Sequence, residues 1–264
     1  WPSLDNDIGS INSLFSPLFS AGFYYKTFMG PHKSFWKKIY EPIIRRAAGL
    51  GKPPKEFRAL SSHLHHNVDI VIVGAGLNGL LAAKSLINTN HDILLVDFDN
   101  HLGGIINNSA KISSIDNQSP QEWVKSTVEA IEKSKNIKIL KNTLVTTYNY
   151  INHLIAVEDK HVGSRPSENK VNNILHKIRT DHVILCNGHI ERFLSFQNND
   201  LPGIMLASSF EKYICRYGTL PSKEPVIFSN NSNSNSLIYS IINQGYKPKA
   251  YIDSRSGENI EPEL

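Results

Sequence analysis

Apolar runs along this chain change their period from place to place, and the changes mark out elements. Residues 68–73 (VDIVIV) and 91–97 (HDILLVD) are short, β-branched and continuously apolar, the pattern of strands buried on both faces of a parallel sheet. Between them Leu80, Leu81, Ala83, Leu86 and Ile87 recur at helical spacing. Residues 68–97 therefore spell strand, glycine-rich turn, helix, strand: a right-handed βαβ unit. Residues 121–135 form an amphipathic helix with Trp123, Val124, Val128 and Ile131 on one face, opened by Ser119 as N-cap and Pro120 in the first turn. Short strands follow at 137–140, 143–148, 154–158 and 174–179, with polar residues 160–173 as a hairpin loop, and residues 182–186 (HVILC) return to the buried parallel type. Residues 225–229 and 247–253 read as strands flanking a helix at 236–243, a second and incomplete βαβ unit.

The ends behave differently. Residues 1–60 are dense in aromatics and broken by Pro2, Pro17, Pro31, Pro42, Pro53 and Pro54, so they are expected to pack on the following domain or on a partner. Residues 61–67 read as a polar linker; its His63, His65 and His66 have no carboxylate or cysteine beside them to complete a metal site. The expected division is 1–67 as an N-terminal segment, 68–200 as a dinucleotide-binding domain and 201–264 as the start of a second, degenerate Rossmann-like domain. The fold class is α/β, a Rossmann-type domain with inserted antiparallel strands and an incomplete second nucleotide-domain-like unit.

Composition narrows the classes. The chain is 40% hydrophobic and 20% charged, with a formal charge of +4, in the ordinary globular range. Its Lys and Arg residues are scattered, which argues against a nucleic-acid-binding face. Two cysteines, Cys186 and Cys215, build neither a disulfide framework nor a C-x-x-C motif, so a reducing compartment, the cytoplasm, is expected. No apolar run approaches the roughly 20 residues that span a bilayer, and no membrane association is expected. The chain opens on Trp1, and a piece of a longer polypeptide is expected.

The chemistry concentrates in Gly74-Ala75-Gly76-Leu77-Asn78-Gly79. This G-x-G-x-x-G directly follows a buried strand and opens a helix, the context a dinucleotide fingerprint needs. Gly74 makes the turn, Gly76 lets a pyrophosphate approach the backbone, and Gly79 lets helix and strand pack closely. The helix N-terminus offers free amides and partial positive charge to phosphates. Asp97 closes the second strand, placed to accept from the adenosine ribose hydroxyls. Phe98 and Asp99 follow it and border the adenine position. Because residues 98–100 hold no Arg or Lys, a 2′-phosphate is disfavoured. Gly103 and Gly104, with Ile105 behind them, suggest a second close backbone approach to the cofactor. Residues 180–188 (TDHVILCNG) would bring Gly188 near the pyrophosphate, and Val145 would place a backbone group against adenine. The ligand is NAD or FAD. No metal site and no catalytic residue can be assigned from spacing.

The ordered set GAGLNG, D-x-x-x-x-LGG and T-x-x-x-x-L-x-x-G resembles the glutathione-reductase-type superfamily. Residues 21–29 (AGFYYKTFM), 40–51 (YEPIIRRAAGLG), 188–192 (GHIER) and 198–207 (NNDLPGIMLA) are similar to the alpha-subunit family of heterotetrameric sarcosine oxidase. The resemblance implies a hetero-oligomer with a beta subunit and smaller subunits. In it the alpha chain holds NAD noncovalently, the beta subunit holds FAD and the amine-oxidising centre, and FMN sits at their boundary. It also implies oxidative demethylation of sarcosine to glycine, with electrons passing to oxygen. Other readings are a noncatalytic nucleotide-binding scaffold and an FAD-dependent amine or opine dehydrogenase subunit. There are departures: Asn78 precedes the last glycine, His189 follows Gly188, Phe193 stands in place of proline, and residues 230–234 (NNSNS) lack the glycines of a second pyrophosphate turn. Lys26, Arg45 and Arg46 are candidates for a cation near flavin or for plain salt bridges, and Glu191–Arg192 for a local ion pair.

Overall fold

The fold is described from a computed structural model, for residues 8, 10, 11, 14, 32–47, 49, 51, 60–108, 112, 114–162 and 170–255. The chain divides into two compact units, Trp1–Arg58 and Ala59–Leu264. In the first, helical turns run through Lys33–Phe35, a π-helical stretch Trp36–Tyr40 and Glu41–Ala47. Arg45 pairs with Glu41 one turn away, a salt bridge of the kind expected for it. Lys26 and most of the aromatic segment lie outside the described residues.

The second unit holds a six-stranded sheet in the order β3-β2-β1-β6-β5-β4. Its strands are β1 (Leu60–Val73), β2 (Ile93–Val96), β3 (Ile137–Leu140), β4 (Thr143–Asn149), β5 (His153–Asp159) and β6 (Val171–Leu185). Strand β1 runs parallel to β2 and β6, and β2 parallel to β3. Strand β5 runs antiparallel to both β4 and β6. The parallel half and the antiparallel excursion thus share one sheet, joined through β6.

Successive side chains of a strand point to opposite faces, and each face here has its own core. On one, Ile70, Ile72, Ile93 and Leu95 pack with Leu80 and Ala83 of helix α1 (Leu77–Ser85) and with Trp123, Val124 and Ile131 of helix α2 (Pro120–Lys133). On the other, Val71, Leu94, Val96 and Leu140 of the parallel strands meet Leu154, Ala156 and Ile178 of the antiparallel ones. Helix α2 starts where its sequence says it should. Ser119 Oγ accepts from the Glu122 amide and Glu122 reaches back to the Ser119 amide, a complete capping box.

Two expectations are corrected and one helix is added. Residues 61–67 are not a linker but the lower half of β1, laddered to β6 from Ser61↔Asn173 to Asn67↔Arg179. Their polarity is matched by polar neighbours: His66 Nε2 lies 2.9 Å from His176 Nδ1, and His176 Nε2 lies 3.0 Å from Glu158 Oε2. Residues 174–179 and 182–186 are not two strands. Thr180 bridges them within β6, its hydroxyl donating to the carbonyls of Asp69 and His182 at 2.9 and 3.0 Å. A helix unforeseen in the sequence, α3 (Ala207–Tyr217), follows β6 and ends on Gly218 in the left-handed region at φ 61°.

Helix α3 lays Phe210 and Ile214 against Ile227, Leu237, Ile238 and Ile241. These belong to the expected second βαβ: β7 (Val226–Ser229), helix α4 (Asn235–Asn243) and β8 (Ala250–Asp253), the two strands parallel. The turn after β7 is tied by its own side chains, Ser229 Oγ donating to the Asn231 carbonyl and Asn231 Oδ1 accepting from the Asn233 amide. Among the described residues no helix is long and apolar enough to cross a membrane.

Candidate functional site

The turn between β1 and α1 is built by steric exclusion. Gly74 has φ +99°, and a Cβ there would lie 2.4 Å from the Cys186 carbonyl oxygen. A Cβ on Gly79 would lie 1.8 Å from the Gly74 carbonyl oxygen, so helix and turn can meet this closely only through glycine. Gly76 is different: a Cβ there would meet nothing within 4 Å. The protein has no internal need for glycine at that position, and the space beside it is open. Gly76 is also the N-cap of α1, with no side-chain cap and no acidic residue in the first turn. The first amides of α1 therefore receive no cap from the N-cap side chain, and a helix N-terminus of this kind suits an anion.

Other sequence-predicted residues gather around this turn. The Gly103 amide donates to the Ala75 carbonyl at 2.8 Å, and a Cβ on Gly104 would lie 3.1 Å from Gly76 Cα. The Leu102-Gly103-Gly104 segment thus lies on the Gly76 backbone, held by Leu102 and Ile106 in the core while Ile105 is exposed. Asn78 is exposed on the first turn of α1. Gly188 lies in the left-handed region at φ 67°, two residues past Cys186, whose amide donates to the Val73 carbonyl at 2.7 Å.

Asp97 is buried, yet its carboxylate is not bare. Oδ2 accepts from the Ala75 amide at 2.5 Å and Oδ1 from the Asp99 amide at 2.7 Å. The carboxylate thus joins the end of β2 to the glycine turn, and its remaining lone pairs are what a ribose would meet. The Asp97 carbonyl accepts from the Thr143 amide at 2.8 Å, which brings the start of β4 beside it. Val145 lies two residues farther along β4, half-buried against the second core and next to a register shift between Val145 and Thr147. Phe98 is 70% exposed.

Residues 98–100 hold no Arg or Lys, but the fold brings a cation to them from elsewhere in the chain. Arg216, on α3, grips Asp99 bidentately, with Nη1 to Oδ2 at 2.5 Å and Nη2 to Oδ1 at 2.8 Å. Nη2 also reaches His101 Nδ1 at 3.0 Å. A guanidinium can only donate, so His101 Nδ1 is the acceptor in this contact. The Arg216 guanidinium holds the Asp99 carboxyl down at about 2, against the opposing effect of burial. The pair has no local signature in the sequence, because 117 residues separate its members. A local ion pair with Arg192 is one expectation for Glu191. Instead its two oxygens accept from the Ala207 and Ser208 amides at 3.2 and 2.8 Å, capping the helix that carries Arg216.

Both cysteines are free thiols, and burial pushes each of them up from the ordinary thiol value. Among the described residues no group of His, Cys, Asp and Glu is placed to hold a metal ion.

Comparison with known proteins agrees with this geometry. Residues 72–133 match the family described as NAD(P)-binding Rossmann-like domain. The sarcosine oxidase subunit alpha of Rhizobium meliloti (strain 1021) is 35% identical over 268 residues, covering 99% of this chain and 26% of the relative. That of Corynebacterium sp. (strain P-1) is 30% identical over 211 residues, covering 79% of this chain and 22% of the relative. The chain therefore spans about a quarter of the length of the curated relatives it matches. Among solved structures, L-proline dehydrogenase from P. horikoshii superposes with a TM-score of 0.58 at 18% identity, over 74% of this chain and 36% of that one, a likeness of fold. The chain is thus a homologue of sarcosine oxidase alpha subunits, carrying an NAD(P)-binding Rossmann-like domain.

Proposed function

We propose that this chain holds NAD through its ADP half, as the nucleotide-binding portion of an alpha subunit in a sarcosine-oxidase-type complex. The observation that carries the reading is the contrast among the three glycines. Gly74 and Gly79 are required by the chain's own packing, whereas Gly76 borders open space that a side chain would fill. A pyrophosphate fits there against the first amides of α1, its charge favoured by the helix dipole. Ala75 and Asn78 flank it in the same turn, Gly103, Gly104 and Ile105 border it from the facing loop, and Gly188 closes the far side. Asp97 would accept from the ribose hydroxyls, with Phe98, Asp99 and the backbone of Val145 on the adenine side.

For the whole complex, the homology supports an oxidoreductase acting on the CH–NH group of sarcosine. Partner beta and smaller subunits would supply the amine-oxidising centre, with FMN at the boundary between alpha and beta. The role of this chain's own residues is to bind and orient a nucleotide. A cytoplasmic setting goes with two unpaired cysteines.

The test is to purify the chain, denature it and identify the released nucleotide by absorbance and mass. NAD without flavin is the expected result. FAD would move the same site to a flavoprotein dehydrogenase subunit. Full activity in a flavin-bearing monomer would overturn the subunit reading, and restoration of activity on adding a beta subunit would separate an enzyme subunit from a scaffold.

A further inference from the structure

We propose that Asp99 determines the nucleotide preference of this site, by holding Arg216 in a bidentate pair and so withholding the nearby guanidinium from a ribose 2′-phosphate. The inference rests on the reading that the adenosine ribose sits at Asp97. Three observations carry it. First, Asp99 is the immediate neighbour of the ribose acid, since its amide donates to Asp97 Oδ1 at 2.7 Å. Second, both terminal nitrogens of Arg216 are committed, to Asp99 at 2.5 and 2.8 Å and to His101 at 3.0 Å. Third, the pair is sheltered, with 20% and 21% of the two side chains exposed, so it is less screened by water than a surface pair.

The electrostatics follow from these positions. A 2′-phosphate adds about two negative charges at the ribose. In this chain it would arrive beside two carboxylates, Asp97 and Asp99, while the guanidinium that could neutralise it is already paired. Binding would require breaking a charge-assisted bidentate contact and leaving Asp99 facing the phosphate. A ribose bearing a free 2′-hydroxyl makes no such demand. A residue that normally rejects 2′-phosphate does so by its own charge. Here Asp99 acts a second time, by occupying a side chain able to reverse the preference. With Asp99 made neutral, Arg216 becomes available, and Lys212 one turn earlier on α3 contributes positive charge to the same spot.

The test is calorimetric binding of two probes, ADP-ribose and its 2′-phosphorylated form, to the full chain and to Asp99→Asn, Arg216→Met and the double variant. The readout is the ratio of the two affinities on one protein, in which any general loss of folding or binding cancels. Wild type is expected to favour ADP-ribose by about tenfold or more, the size of one charge-assisted contact. D99N should shift the ratio by about tenfold toward the 2′-phosphate, R216M should shift it the other way, and the double variant should lose the D99N gain. An unchanged ratio in D99N while ADP-ribose still binds would overturn the proposal and leave the nucleotide site standing. If D99N binds too weakly to measure, R216M decides: an unchanged ratio there overturns it equally. Failure of wild type to bind ADP-ribose would instead remove the nucleotide site itself, and the proposal with it.

Discussion

Gly79 stands so close to Gly74 that a methyl group on it would lie 1.8 Å from the Gly74 carbonyl oxygen, whereas the same group on Gly76 would touch nothing within 4 Å. The two positions must therefore fail differently. Gly79→Ala forces helix α1 away from the turn and should lower the thermal midpoint markedly, as overpacking at a rigid contact does. Gly76→Val should leave the midpoint close to wild type while abolishing nucleotide binding. Thermal melts alongside nucleotide release measure both. A Gly76→Val protein that kept its nucleotide would remove the pyrophosphate from this turn.

Acid should act in two windows. Burial and the neighbouring His176 lower His66 from its ordinary 6.5, so folding is favoured above 6.5 and loses that contribution as pH falls below it. Asp99 and Asp253 are held at about 2 by Arg216 and Arg255, against ordinary values of 3.8. Their contribution is complete above about 4 and is lost as pH falls from there toward about 2. Urea midpoints measured across pH 7 to 2 should show both declines. Asp99→Asn should flatten only the lower one, and a lower decline unaffected by D99N would place the acid sensitivity elsewhere.

Trp123 is 1% exposed on α2 and donates from Nε1 to Asp116 Oδ2 at 2.9 Å. Trp123→Ala should cost about 3–5 kcal/mol, the usual range for emptying so large a volume. Trp123→Phe should cost less, because much of the ring volume is kept and the exposed Asp116 can turn to water. Chemical denaturation gives both values, and a small loss in Trp123→Ala would mean that α2 can collapse onto the sheet.

Glu191→Ala removes both acceptors at the start of α3 and should cost about 1 kcal/mol. Because α3 carries Arg216, the same change should weaken the Asp99–Arg216 pair, visible as a rise in the Asp99 titration by NMR. Glu191→Gln keeps an acceptor and should restore most of the stability. A normal Asp99 titration in Glu191→Ala would show that the pair holds without the cap.

What the sequence made legible is what local sterics impose. The glycine turn, the Ser119 N-cap followed by Pro120 and β3 at Ile137–Leu140 depend on residues a few positions apart, and each stands as expected. Contacts set by distant chain were not legible. The polarity of His63, His65 and His66 argues for a loop until β6 is known to lie beside them and His176 to face His66. Arg216 could be connected to Asp99 only through the helix that delivers it. That helix does carry a local signal, Phe210 and Ile214 one turn apart before Gly218.

The topology also sets a timetable for folding. Strand β1 is central, but its neighbour β6 pairs with it across a long separation, His66 and His176 being 110 residues apart. Until β6 arrives, one flank of β1 is an open hydrogen-bonding edge, the condition in which strands recruit other chains. The serines and histidines of its lower half make that waiting edge hydrophilic. Pulsed hydrogen exchange during refolding should therefore find the amides of Leu60–Asn67 among the last protected. Replacing His63 and His65 with valine should raise the yield of aggregates while leaving the native fold intact.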